Sequence, residues 1–224
     1  MKVKQAERRL ETRKRILAAA REVFFREDYM GTSVDDVAAL AGISKGGVYR
    51  HFPSKAALYV TILGENGRVY FEGVERRIKA TEGLPTAERI RNLWSAYLRY
   101  WMKNPDHFRV FWAIDNEAVI GALPAHLAEG IPDFWRRSLE QTQAVLDEGV
   151  RRGELIPCDT WETAHTFWTV ATALIEHDGT KGRRRIRQRP LRDVYDHSIE
   201  VVLRGILVDP SQSWLPGPPP QKRP

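Results

Sequence analysis

The chain holds a single cysteine, Cys158, in 224 residues. No intrachain disulfide can form, so a small secreted scaffold stapled by disulfides is excluded. It has no apolar run of 18 residues, and no membrane-spanning helix is expected. The first residues are charged and lack an apolar leader, which points to a cytoplasmic protein. Gly-rich phosphate loops, nucleophile elbows and Cys-x-x-Cys pairs are all missing. No cofactor, catalytic residue or enzymatic activity is therefore expected. Strand-like alternation is also missing, and helical periodicity dominates, so the fold class is all-α.

What is present starts with enough apolar matter for packed cores: 42% of residues are hydrophobic, at a net charge of +6. Residues 1–60 carry twelve Lys/Arg against seven Asp/Glu, so a surplus of +5 sits at the N-terminal end. Such a surface attracts the phosphate backbone of nucleic acid and makes binding salt-dependent.

Residues 32–55 describe two short helices around a tight turn. Thr32 or Ser33 can cap the first helix, whose Val34, Val37, Ala38 and Ala41 share one face. Gly42 follows where a helix ends in a left-handed residue. Ile43 is an apolar plug, Ser44 caps a second helix from Lys45, and Pro53 with Ser54 ends it and begins another. This is a helix-turn-helix, whose second helix enters the DNA major groove. On that helix Lys45, Tyr49, Arg50 and His51 supply long donors or aromatic rings, while Val48 and Phe52 can face inward.

Residues 8–60 resemble the TetR family of transcriptional regulators. The resemblance rests on Ile16 to Ala20, Phe24, Tyr29, Thr32 to Val34, Asp36-Val37-Ala38, Ala41-Gly42, Ser44-Lys45-Gly46, Tyr49, His51-Phe52 and Lys55. Two positions depart from the pattern. Asp28 stands where the family usually has Gly, and Asp tolerates a left-handed backbone better than most residues. Gly47 stands where the family often has Thr, Ser or Ala, which removes a side chain that could read a base. Carried over by position, the resemblance implies that Thr32 and Ser44 cap helices and bond phosphates. Lys45 would approach base edges or phosphates, Gly46 and Gly47 would allow close approach, and Tyr49, His51 and Lys55 would touch the backbone. Base readout would then lean on Lys45, Arg50 and DNA shape. The cations at Lys2, Lys4, Arg8 and Arg9 read equally as an arm reaching DNA or as a solvated terminus.

Beyond the helix-turn-helix, periodicity predicts further helices. One runs from Ser54 to Lys79. The next carries Ile90, Leu93, Trp94, Tyr97, Leu98 and Trp101 on one face. Another starts at Pro105 and leads through Phe108, Phe111, Trp112 and Ile114. The last three run from Pro132 to Arg152, Thr160 to His177 and Leu191 to Leu207. The expected domains are residues 1–54 for DNA binding, residues 55–208 for effector binding and dimerisation, and residues 209–224 as a Pro-rich disordered tail. The resemblance implies that the C-terminal domain binds a small molecule and joins two chains through its last two helices. A homodimer also follows from two recognition helices one DNA turn apart.

Six of the seven tryptophans lie between Trp94 and Trp168. Core packing explains any one aromatic. The set Trp94, Tyr97, Trp101, Phe108, Phe111, Trp112, Trp135, Phe167 and Trp168 also offers the flat apolar surface of an effector pocket. The effector is then small and apolar, aromatic or cationic, with Asp115, Glu117 or Glu176 as candidate acids for a cation. Glu162 and His165 make a lone Glu-x-x-His pair. A di-metal site needs two, so no metal is expected. The basic run Lys181 to Arg189 reads as a solvated, mobile loop, with a nucleic-acid arm as the alternative. The reading is a ligand-responsive, sequence-specific DNA-binding regulator, most simply a repressor released from a palindromic operator. A helical enzyme using the aromatic pocket and a non-DNA adaptor are the alternatives from other classes.

Overall fold

The computed structural model describes residues 2–112, 119, 123–129 and 131–214. Among them every extended element is a helix, as expected for an all-α chain. These are α1 (Lys2–Gly31), α2 (Val34–Ala41), α3 (Lys45–Tyr49), α4 (Lys55–Ala80), α5 (Thr86–Lys103), α6 (Pro105–Trp112), α7 (Ile131–Arg151), α8 (Thr160–Gly179) and α9 (Leu191–Ile206). Single helical turns occur at Ala125–Ala128 and Lys181–Arg184, and a 3₁₀ turn at Pro210–Gln212.

The chain forms two compact units. One comprises Met1–Tyr70 with Asn104–Phe134, the other Phe71–Lys103 with Trp135–Pro224. The two units divide inside α4, at Tyr70 and Phe71, whereas the expected boundary at residue 54 falls at the start of that helix. In the first unit, Ile16, Leu17, Ala20, Val23 and Phe24 of α1 are buried with Val37 and Ala38 of α2 and Leu58, Tyr59 and Ile62 of α4. α1 is broken at Asp28, whose φ is 59° and ψ −172°. Asp28 is the one non-glycine residue with positive φ among the described residues. That region is almost glycine's own. The Asp28 carboxylate helps hold the break by accepting from the Gly31 N–H at 3.0 Å.

In the second unit α5 packs against both α8 and α9. Trp94 lies 4.3 Å from the Tyr195 ring, and its indole N–H donates to the Tyr195 carbonyl at 2.8 Å. Arg91 pairs bidentately with Glu200 at 2.6 and 2.9 Å, both groups buried. Burial alone would raise the Glu200 carboxyl, but bonds from Arg91, the Trp214 N–H and Ser213 hold it below its ordinary value. Arg89 is likewise buried and pairs with Glu148 at 2.5 Å, which lowers the Glu148 carboxyl. α7 approaches the start of α5 so closely that Gly149 has no room for a side chain: a Cβ would sit 2.6 Å from Thr86 Cγ2. The loop after α7 is tied to the end of α9 by Ile156 N–H to Ile206 and Val208 N–H to Glu154, at 2.9 and 3.1 Å.

The segment expected to be a tail from residue 209 is structured at its start. Asp209 caps the 3₁₀ turn, Ser213 is buried against Glu200, and the Arg91 guanidinium lies 4.3 Å from the centre of the Trp214 ring. Residues 215–224 lie outside the described residues, as do Ile114, Asp115 and Glu117. The basic run is tethered at three points: Arg183 pairs with Glu176, and Arg184 and Arg187 pair with Asp178. Glu176 is thereby turned to the surface, which removes it as an inward acid for a cationic effector.

Candidate nucleic-acid interface

The turn between α2 and α3 is built from local chemistry. Ser33, rather than Thr32, caps α2 by accepting from the Asp35 N–H at 3.1 Å. Two acids, Asp35 and Asp36, then sit in the first turn, where the helix dipole favours negative charge. Gly42 ends α2 in the left-handed region at φ 65°, ψ 39°, and the Ile43 N–H closes back onto the Ala38 carbonyl at 3.0 Å. A side chain would strain this residue, and none is present. Ser44 caps α3 through the Gly47 N–H at 3.1 Å. Val48 and Phe52 are buried and seat α3 on the core.

That seating decides what α3 shows to solvent. Lys45, Gly46, Tyr49 and Arg50 are exposed, Tyr49 at 42%. Lys45 Nζ pairs with Asp35 Oδ2 at 2.7 Å, and this bond raises the lysine above its ordinary value. His51 is half-buried, and its imidazole is held below its ordinary value first by burial, then by Arg9, Arg13 and Arg50. Those cations mark a positive field at this end of α3. Arg13 supports it: its guanidinium lies 4.3 Å from the centre of the Phe52 ring and reaches the His51 carbonyl at 3.5 Å. The N-terminal Lys4, Arg8 and Arg9 lie on the exposed first turns of α1, so they belong to a helix and not to an extended arm.

Three residues expected at the interface are engaged elsewhere. Thr32 is buried at 4% exposure, and its hydroxyl donates to the Asp28 carbonyl at 2.5 Å, leaving none of it to bond a phosphate. Gly47 is buried. A Cβ there would meet Ser44 Oγ at 3.3 Å and Ile43 Cδ1 at 3.4 Å, so a side chain at this position starts toward the capping turn. The open position is Gly46, where a Cβ meets nothing within 4 Å. Lys55 donates to the carbonyls of Tyr29 and Thr32 at 2.9 and 3.2 Å. Asp35 and Arg13 escaped the sequence reading. The signal for Asp35 was the acid ten residues before Lys45. For Arg13 no signal existed, because its contacts lie 38 residues away.

The nine aromatics expected around an effector divide between the two units. Phe108, Phe111 and Trp112 fall in the first and the other six in the second. In the second, Trp94, Trp101 and Phe167 are buried, and Trp94 contacts Phe167 edge-on at 6.1 Å. Tyr97, Trp135 and Trp168 are half-buried. The Tyr97 and Thr172 hydroxyls are 3.0 Å apart, and the Tyr97 and Trp101 rings meet edge-on. Trp135 and Trp168 are 5.3 Å apart, with the His165 ring stacked on Trp168. Separate from these, an open groove of about 440 Å³ runs between α4 and α7, lined by Ile78, Lys79, Glu82, Arg137, Glu140 and Gln141 among others.

Residues 16–62 match the family described as "Bacterial regulatory proteins, tetR family". The chain is similar to the uncharacterized HTH-type transcriptional regulator YhgD of Bacillus subtilis, at 28% identity over 170 residues, 74% of this chain and 83% of that one. It is also similar to the HTH-type transcriptional activator FasR of Mycolicibacterium smegmatis, at 30% identity over 105 residues, 47% of each chain. The fold is similar to that of the transcriptional regulator FadR from Bacillus subtilis in complex with stearoyl-CoA, with a TM-score of 0.69 and 18% identity, covering 86% of this chain and 98% of that one. These comparisons are with transcriptional regulators and not with enzymes. Through its capped, glycine-turned helix pair and the family match over that pair, residues 16–62 are similar to the DNA-binding domain of the TetR family of transcriptional regulators, and the chain shares the fold of such regulators along most of its length.

Proposed function

We propose that the protein is a dimeric repressor that holds a palindromic operator and releases it when a small apolar or aromatic effector binds. The observation that carries the reading is the outward face of α3, where Lys45, Tyr49 and Arg50 stand exposed beside a bare Gly46 while Val48 and Phe52 lock the helix to the core. Phosphate contacts then set the register, from Ser44, Tyr49 and His51, and base edges are read by Lys45 and Arg50. Gly46 lets the backbone approach the groove floor. Residues 1–54 carry the DNA contacts in this reading, and residues 55–208 the effector and dimer contacts.

Dimerisation draws support from α9. Val194, Ser198, Val201, Val202 and Gly205 recur at helical spacing and stay half-buried or exposed in the single chain, Val201 at 52%. An effector class draws support from the Tyr97–Thr172 hydroxyl pair set among rings, the pattern of an apolar pocket with a few convergent polar groups. FadR, similar in fold, holds stearoyl-CoA, whose acyl chain is a ligand of the apolar class. Effector binding must favour a state whose recognition helices no longer fit two half-sites, which requires different affinities for the two states.

Selection of bound fragments from the source genome, repeated as salt rises, tests the reading. Recovery of one short palindrome whose binding weakens with salt is expected; only random, salt-sensitive fragments would refute sequence-specific regulation. A reporter behind the recovered site then decides the sign. Derepression on deleting the gene is expected, whereas lost expression would mean activation, as the name of FasR states for that protein.

A further inference from the structure

We infer that Lys55 is a positioning residue that fixes the helix-turn-helix to its supporting helices, and that it is not a phosphate ligand. The inference rests on the DNA-binding reading of α3. Lys55 opens α4, a helix start where a lysine on the surface would be free to meet DNA. Here its ammonium is already occupied. It donates to the Tyr29 carbonyl at 2.9 Å and the Thr32 carbonyl at 3.2 Å, and lies 4.6 Å from the centre of the Tyr29 ring.

Those acceptors explain the choice of residue. Tyr29 and Thr32 flank the end of α1, where carbonyls lack helical partners and the helix dipole is negative. A lysine there satisfies two of them at once. The joint needs such an anchor, because α1 is broken at Asp28 and α2 begins only after Ser33. Everything else at the joint converges on it. The Asp28 carboxylate accepts from Gly31, the Asp28 carbonyl accepts from Thr32, and the Tyr29 ring packs on Phe24 of α1 and Tyr59 of α4. Lys55 is the charged group that ties α4 to this corner. Removing it frees the direction in which α2 leaves α1, and with it the placement of α3 in the groove.

The test uses the full-length protein and a duplex of the selected operator, with a mixed-sequence duplex of equal length as control. Wild-type protein must first prefer the operator; if it does not, the DNA-binding reading has failed and Lys55 is not at issue. Affinity is then measured over a salt series for Lys55→Met and Lys55→Arg. Loss of two charge-assisted bonds at the joint should weaken operator binding by about tenfold or more. The slope of log K against log salt should stay at the wild-type value. Lys55→Arg should fall with Lys55→Met, since a planar guanidinium cannot replace a compact ammonium between two carbonyls and a ring. A slope smaller by about 0.9, with Arg restoring affinity, would make Lys55 a phosphate ligand and overturn the inference. Full operator affinity in a folded Lys55→Met protein would overturn it as well. A variant-free readout stands beside these: amine-reactive footprinting of wild-type protein with and without operator. Lys45 should become protected by DNA, while Lys55 should be equally unreactive in both states. Protection of Lys55 by DNA alone would refute the positioning role.

Discussion

Replacing Gly149 by alanine should destabilise the α5–α7 contact, although alanine is the better helix former. Gly149 lies inside α7, and a Cβ built there falls 2.6 Å from Thr86 Cγ2 and 2.8 and 2.9 Å from Leu155 Cδ1 and Cγ. Real Cβ atoms do not approach carbon so closely, and neither neighbour can yield easily, since Thr86 and Leu155 are both fully buried. Thr86 also starts α5, with its N–H held by the Glu154 carboxylate at 2.5 Å. Overpacking of a dense core costs about 1–3 kcal/mol, and three contacts below 3 Å place this case in the upper half. Alanine returns about 1 kcal/mol of helix propensity. The net loss is about 1–2 kcal/mol, or a fall in Tm of about 2–8 °C for a chain of this size. Calorimetry or urea unfolding of the protein measures it. Thr86→Ser, which removes Cγ2, should recover part of the loss in a double-mutant cycle. A Gly149→Ala protein as stable as wild type would show that α5 and α7 do not pack at this distance.

Lys45→Ala should reduce operator affinity and the salt slope together, and Tyr49→Ala should weaken binding with dimerisation intact in sedimentation; full affinity in both would remove α3 as the reading surface. His51 carries a pH prediction. Its folded imidazole lies below the ordinary 6.5 through burial and the nearby arginines, so at neutral pH it is uncharged, and a DNA phosphate that neutralises the arginines favours its protonation. Operator affinity should therefore rise as pH falls below about 6.5, while stability of the free protein falls in the same window because the unfolded chain takes up the proton more readily. His51→Gln should flatten both profiles. Truncation after Val208 should destabilise the second unit by about 1–3 kcal/mol, because Glu200 loses its bonds from Ser213 and the Trp214 N–H while buried with Arg91. Unchanged urea unfolding of the truncated chain would mean that residues 209–214 are a passive extension.

Much of the DNA-facing half was legible from neighbours in sequence. A left-handed Gly42, a Ser44 cap three residues before its donor, a backbone break at Asp28 and inward Val48 and Phe52 each depend on two to five consecutive residues. Local dihedral preference and helical spacing settle them before the chain folds. The helices of the C-terminal half were equally legible, because their apolar periodicity already states which face must leave water. The long α4 was read as one helix from its Ser54 start, but that the compact units divide within it, at Tyr70 and Phe71, was not.

Only the folded chain decided how shared chemical types were spent. Lys45 and Lys55 are the same residue type on one short stretch. One meets solvent and Asp35, while the other closes the end of a helix 23 to 26 residues away. Gly46 and Gly47 are adjacent, yet one is open and the other faces Ser44 and Ile43, because the seating of Val48 and Phe52 sets the rotation of α3. Arg91 and Glu200 are separated by 109 positions and make a buried pair that also secures Trp214. A sequence pattern records the periodicity that drives burial, which is a property of each helix alone. Partner choice among charges and the turning of one helix on another are properties of two elements at once, so they exist only once those elements have packed.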